Sequence, residues 1–154
     1  MSSPGWGART TFGVEVKVNI YDLSPVNDFI QPFGIGVFHS GVHIGGKEYT
    51  FAGGGGIFDH SPLEPGGPAV FREGVVIGVF EGGSNAVDDA VRQLKNSGQF
   101  GPNDYNIMTM NCNHFADALC RQLLGRGIPG CVHRPGRHCL RMRSRSQAWL
   151  LRAR

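Results

Sequence analysis

Apolar and polar residues alternate in several short stretches of the chain, and such alternation predicts β-strands. The clearest stretch is residues 14–21, where valine and isoleucine alternate with charged and polar side chains. Three further strands are predicted at residues 36–44, 48–51 and 71–80, the last with a bend at Gly74 or Gly78. Gly45 and Gly46 predict a hairpin turn, and residues 25–34, 53–56 and 62–68 are predicted loops.

Two segments instead repeat apolar residues every three or four positions, which predicts helices. The first is predicted at residues 85–96, with Ser84 or Asn85 as its N-cap. The second begins at Cys112 after the N-cap Asn111 and ends at Gly125. Its buried face is predicted to contain Phe115, Ala116, Leu119, Cys120, Leu123 and Leu124.

Composition and charge divide the chain into three parts. The 24 glycines among 154 residues and the 18% charged residues favour one loop-rich α+β domain. Residues 1–133 have 8 basic and 12 acidic residues, a net charge of −4, whereas residues 134–154 have seven arginines and no acidic residue. We therefore predict a disordered leader at 1–12, a folded domain at 13–133 and a disordered Arg-rich extension at 134–154.

The sequence has no apolar run of 18 residues and no secretory signal at its N-terminus. It therefore predicts a cytosolic or nuclear location and no membrane span. Thiols stay reduced in those compartments, so the four cysteines are predicted to be free.

Cys112 is the strongest candidate for chemistry, because the first turn of a helix favours a thiolate over a thiol. His39, in the second predicted strand, is a candidate base for it. A second interpretation of the same region is a zinc site formed by His39, His43, Cys112 and His114, although their spacing matches no strong motif. A buried structural cysteine is the third interpretation.

The chain resembles the PPPDE family, also called DeSI, of small thiol isopeptidases. The resemblance covers about residues 15–133 and rests on segments 18–24, 34–42, 48–54, 71–73, 111–115 and 124–129. The motifs His39-Ser40-Gly41-Val42 and Asn111 to Phe115 are more similar to the deubiquitinase-like branch than to the SUMO-linked one. Two departures are His43, where the family often has an acidic residue, and the sequence after Gly130.

The resemblance implies a permuted papain-like cysteine peptidase fold, in which a small antiparallel sheet packs with a few helices. It implies His39 and Cys112 as the catalytic dyad, with neither cofactor nor metal. An oxyanion would be stabilised by the Cys112 N–H and by a side-chain amide of Asn106 or Asn111, between which the sequence does not choose. Asp22 and Glu48 are both candidates to orient His39.

The function implied is removal of ubiquitin or a ubiquitin-like modifier (SUMO) from protein conjugates, which are the expected partners. One alternative is a thioesterase that removes acyl groups from protein cysteines with the same dyad. Another is a module that binds such modifiers without turnover. The Arg-rich extension is a further candidate to bind nucleic acid or an anionic surface. A metal cluster of Cys131, His133, His138 and Cys139 has the right residue types but an unusual spacing.

Overall fold

A computed structural model describes residues 13–23 and 38–133. The predicted leader, the loop at 25–34 and the Arg-rich extension lie outside the described residues, and so do the first two residues of the second predicted strand. The described elements, in chain order, are β1 (Val14–Asp22), β2 (Phe38–Ile44), β3 (Lys47–Ala52), β4 (Gly56–His60), β5 (Val70–Phe80), α1 (Gly83–Lys95), α2 (Cys112–Leu124) and α3 (Gly130–His133).

The five strands form one sheet in the order β4-β3-β2-β1-β5, and every neighbouring pair is antiparallel. The predicted α+β class and small antiparallel sheet are therefore confirmed, and so is the turn at Gly45 and Gly46 between β2 and β3. The prediction missed β4, which begins at the last glycine of the predicted loop 53–56 and pairs with β3. The pairing of β1 with β5 is irregular opposite Gly78, in agreement with the predicted bend.

The sheet has two differently composed faces, because successive side chains of a strand point to opposite sides. On one face Val16, Val18 and Val42 are fully buried and pack with the apolar side of α2, including Phe115 and Leu119. The other face carries buried polar groups: Asn19, Glu48 and Thr50, with the phenol of Tyr21. This polar face is unusual, since buried polar atoms require partners to offset the loss of water.

Helix α1 starts earlier than predicted, and the predicted side-chain cap is wrong. Its N-cap is Gly82, which makes no side-chain capping bond, and no acidic residue lies in the first turn. Gly83 has a φ of 80°, a conformation that glycine adopts without strain, so a glycine turn leads into the helix. Helix α3 was not predicted, although it buries Cys131 and Val132 against the core.

None of the described helices is long and apolar enough to cross a membrane.

Candidate active site

Cys112 is the first residue of α2, as predicted. Asn111 is its N-cap: the Asn111 side-chain oxygen accepts from the backbone N–H groups of Asn113 at 3.0 Å and His114 at 3.3 Å. His114 Nδ1 in turn accepts from the Asn111 N–H at 3.2 Å, which completes a capping box. These bonds fix the backbone around Cys112. Only 3% of the surface of Cys112 is exposed.

Asn113 connects the first turn of α2 to two other elements. The Ser40 hydroxyl of β2 donates to Asn113 Oδ1 at 2.7 Å, and Asn113 Nδ2 donates to the Val132 carbonyl of α3 at 3.4 Å. Ser40 directly follows His39 in the chain, and Asn113 directly follows Cys112. The bond between them therefore brings the backbones of the two predicted catalytic residues to the same end of the sheet.

The His39 imidazole lies at the edge of the polar face of the sheet. Its Nε2 is 2.7 Å from Thr50 Oγ1, and its ring centroid is 6.1 Å from that of Tyr21. Burial lowers the pKa of His39, the nearby Glu48 carboxylate opposes that change, and His60 adds to it. The neutral imidazole, which can accept a proton, is thus the favoured form.

His39 and Cys112 do not form a hydrogen bond with each other in the part of the chain that the structure describes. Cys112 instead interacts with Tyr105; burial, followed by this interaction, raises the pKa of that phenol. The Tyr105 ring packs against Phe51, at a centroid distance of 5.3 Å. The catalytic dyad therefore stays a prediction: the backbones are brought close, but this conformation does not join the two reactive groups.

Glu48 is the centre of a buried hydrogen-bond network next to His39. Its carboxylate is fully buried and accepts from Asn19 Nδ2 at 2.7 Å, from the Tyr21 hydroxyl at 2.7 and 2.8 Å, and from the Leu63 N–H at 3.1 Å. It influences His39 through its charge but makes no hydrogen bond to the ring. The other candidate to orient His39, Asp22, pairs with Arg72 at 3.1 Å.

Thr50 is the residue at this site that the sequence reasoning missed. It lies in the predicted third strand, two positions after Glu48 and therefore on the same face. The spacing of two residues from Glu48 could have indicated from the sequence that Thr50 lies on the same face of the sheet as Glu48. The antiparallel pairing of β2 with β3, which brings the Thr50 hydroxyl to the His39 ring, was not visible in the sequence.

Residues 14–147 match a family model described as "PPPDE putative peptidase domain". The chain belongs to the PPPDE peptidase family. The predicted resemblance is thereby confirmed. The match continues to residue 147, past the predicted domain boundary at residue 133, and that boundary stays a prediction.

Curated relatives of this PPPDE domain bear related names. "Desumoylating isopeptidase 1 homolog" of Caenorhabditis elegans is 35% identical over 127 residues, which are 77% of this chain and 37% of the relative. A DeSI-like protein of Arabidopsis thaliana is 33% identical over 126 residues, 79% of this chain and 55% of the relative. Human "Desumoylating isopeptidase 1" is 30% identical over 127 residues, 76% of this chain and 71% of the relative. The chain thus spans less than two thirds of the length of the first two relatives.

The two oxyanion candidates of the PPPDE domain differ in how their side chains are used. The Asn111 side-chain oxygen caps α2, and one of the two N–H groups of its Nδ2 donates to the Ile107 carbonyl at 2.9 Å. Asn106 Oδ1 accepts from the N–H groups of Met108 at 2.9 Å and Thr109 at 3.1 Å. Its Nδ2 has no hydrogen-bond partner among the described residues, so both N–H groups of the Asn106 amide are without a protein acceptor there, and the choice between the two candidates stays a prediction.

The residues considered for a metal have other roles in the PPPDE domain. His43 Nε2 lies 2.9 Å from the Gly45 carbonyl, and His114 belongs to the capping box. Across residues 13–23 and 38–133, no three His, Cys, Asp or Glu side chains are placed to share a metal ion. Cys131 is disulfide-bonded, whereas Cys112 and Cys120 are free. The prediction of four free thiols is therefore wrong at Cys131. His138 and Cys139 of the second proposed cluster lie outside the described residues.

Proposed function

We propose that this chain is a thiol isopeptidase that removes a ubiquitin-like modifier from proteins, with Cys112 as nucleophile and His39 as general base. The observation that supports it most is the 2.7 Å bond from Ser40 to Asn113, which holds the residues next to His39 and Cys112 against each other. Thiol acyl transfer uses a cysteine, here at a helix N-terminus, and a histidine base, and the Ser40–Asn113 bond holds the backbones that carry them at the same end of the sheet.

In the proposed reaction His39 accepts and returns a proton twice, once before and once after a thioester intermediate at Cys112. His39 Nδ1 accepts the Cys112 Sγ–H proton, and the thiolate attacks the isopeptide carbonyl carbon. The C–N bond breaks as the imidazolium returns the proton to the leaving lysine amine. Water, deprotonated by His39, then hydrolyses the thioester and regenerates the thiol. The Cys112 N–H and Asn106 Nδ2 are the donors proposed for the developing oxyanion.

The reaction requires Cys112 and His39 to come within hydrogen-bonding reach when a substrate binds. Cys112 is 3% exposed, and in this conformation it makes no hydrogen bond to His39. Catalytic contacts of this kind commonly tighten only in the substrate complex. His39 Nδ1 has no hydrogen-bond partner among the described residues, so this nitrogen is available for the thiol.

Reactive probes test directly whether the modifier is ubiquitin or SUMO. Ubiquitin and SUMO, each carrying a C-terminal electrophile, are incubated with the intact chain and with Cys112→Ala. The relatives' names support SUMO, whereas the His39–Val42 and Asn111–Phe115 motifs support ubiquitin. We expect one probe to add to the intact chain and neither to add to Cys112→Ala.

Cys120→Ala is the matched control, because Cys120 is the other described free cysteine of α2 and is fully buried. It should keep full labelling. Labelling that survives Cys112→Ala, or no labelling by either probe with folded protein, would refute the proposed function.

A further inference from the structure

Thr50 is the nearest hydrogen-bonding partner of His39. It lies in β3, is 1% exposed, and its hydroxyl oxygen is 2.7 Å from His39 Nε2 and 3.3 Å from the Ser40 carbonyl oxygen. A threonine buried this deeply requires partners for its hydroxyl. Both partners belong to the β2 segment that carries His39.

The protons of these three groups can be assigned from their chemistry. A carbonyl oxygen only accepts, and a hydroxyl has one proton and two acceptor lone pairs. If Thr50 donates its proton to the Ser40 carbonyl, Thr50 Oγ1 can only accept from His39, so Nε2 carries the imidazole proton. The lone pair of the neutral ring is then on Nδ1, the nitrogen without a partner among the described residues.

We propose that Thr50 is a positioning residue that holds His39 in the tautomer protonated at Nε2, with Nδ1 free to accept the thiol proton. This inference rests on the proposed Cys112–His39 dyad. In the reaction Thr50 keeps its bond to Nε2–H while Nδ1 gains and loses the proton. The Thr50 hydroxyl neither gives up nor gains a proton, and its role is orientation.

The neighbouring charged and titratable groups do not offer a competing partner for Nε2. The Glu48 carboxylate already accepts hydrogen bonds from Asn19, Tyr21 and the Leu63 N–H. His60, in β4, donates from its Nδ1–H to the Ser61 carbonyl at 2.8 Å. Glu48 and His60 therefore act on His39 through charge, whereas Thr50 alone among the described residues bonds to its ring.

The tautomer is measured by ¹⁵N NMR of histidine-labelled protein at a pH where His39 is neutral. The Cys112→Ala variant removes any contribution from the thiol, and His39→Gln identifies the His39 signals. We expect a protonated Nε2 and an unprotonated Nδ1. A protonated Nδ1 would overturn the proposal, whether or not the chain is an isopeptidase, because it would mean that Thr50 donates to the ring.

Turnover of a hydrolysable conjugate of the modifier whose probe adds to the intact chain tests the consequence for catalysis. Thr50→Val keeps the shape and removes the hydroxyl; we expect kcat to fall by roughly 10- to 100-fold, the size of a lost hydrogen bond to a charged group, with KM unchanged. Thr50→Ser should restore kcat to within about threefold, since it keeps the hydroxyl that makes the bond. A purely structural role would instead lower the thermal midpoint of both variants and leave kcat of the folded fraction unchanged.

Two reference variants separate the possible failures. His43→Gln changes another histidine of β2 and should keep activity. If His39→Ala is inactive while Thr50→Val has wild-type kcat, the Thr50 proposal is overturned and the dyad stands. If His39→Ala is fully active, the proposed function itself fails, and the NMR measurement still decides the tautomer.

Discussion

Removal of the Glu48 carboxylate should cost the protein a large part of its stability. In Glu48→Ala, the side-chain amide of Asn19 and the hydroxyl of Tyr21 lose the acceptor to which they bond at 2.7 Å. Asn19 is 1% exposed and Tyr21 is fully buried, so neither recovers a bond to bulk water. The Leu63 N–H also loses its acceptor, but this residue is 52% exposed and water can replace the bond.

The magnitude follows from the number of donors left without a partner. Each buried donor without an acceptor costs about 1–3 kcal/mol, so the two buried donors together give about 2–6 kcal/mol. We therefore expect Glu48→Ala to lower the free energy of unfolding by about 3–5 kcal/mol. Glu48→Gln keeps one acceptor oxygen and supplies an N–H to the Tyr21 oxygen, so it should cost only about 1–2 kcal/mol.

Urea unfolding followed by far-UV circular dichroism measures both variants, with the exposed Glu64→Ala as control. The control should stay within about 0.5 kcal/mol of the wild type. If Glu48→Ala also stays within about 1 kcal/mol with an unchanged m-value, the Glu48 network does not stabilise the fold and this reasoning is wrong.

Three further outcomes are expected. A Cβ at Gly41 would clash with Glu48 Oε1, so Gly41→Ala should destabilise the wild type by about 1–3 kcal/mol. The same change should cost clearly less in Glu48→Ala; equal costs in a double-mutant cycle by urea unfolding would contradict the clash. Burial raises the pKa of Cys120 to about 12, so mass mapping after iodoacetamide at pH 8 should find it unmodified until urea is added, whereas Cys112 should react in the folded protein. Because the folded state lowers the pKa of His39, the unfolded state binds more protons just below about pH 6.5. Unfolding free energy should therefore fall as the pH is lowered through that value, and His39→Gln should reduce the slope; an unchanged slope would argue against a buried neutral His39.

The local pattern of the sequence was enough to place most elements. The alternation at residues 14–21 predicted β1, and the spacing from Phe115 to Leu124 predicted α2 with Asn111 and Gly125 at its ends. These signals are local, since strand and helix periodicity and helix capping depend on residues only a few positions apart. Helix α3 was missed because four residues are too few for helical periodicity, and strand β4 because Gly56–His60 does not alternate apolar and polar residues.

The motifs in the sequence also indicated that the chain belongs to the PPPDE family, and they identified Cys112 and His39 as candidates for the catalytic dyad. The sequence alone did not decide which residue orients His39, because that depends on pairing between β2 and β3. Only the folded sheet brings the Thr50 hydroxyl to 2.7 Å from His39 Nε2. The same sheet places Glu48 where it accepts hydrogen bonds from Asn19 and the Tyr21 phenol. Contacts between strands depend on register, and a shift of one residue would turn Thr50 to the opposite face.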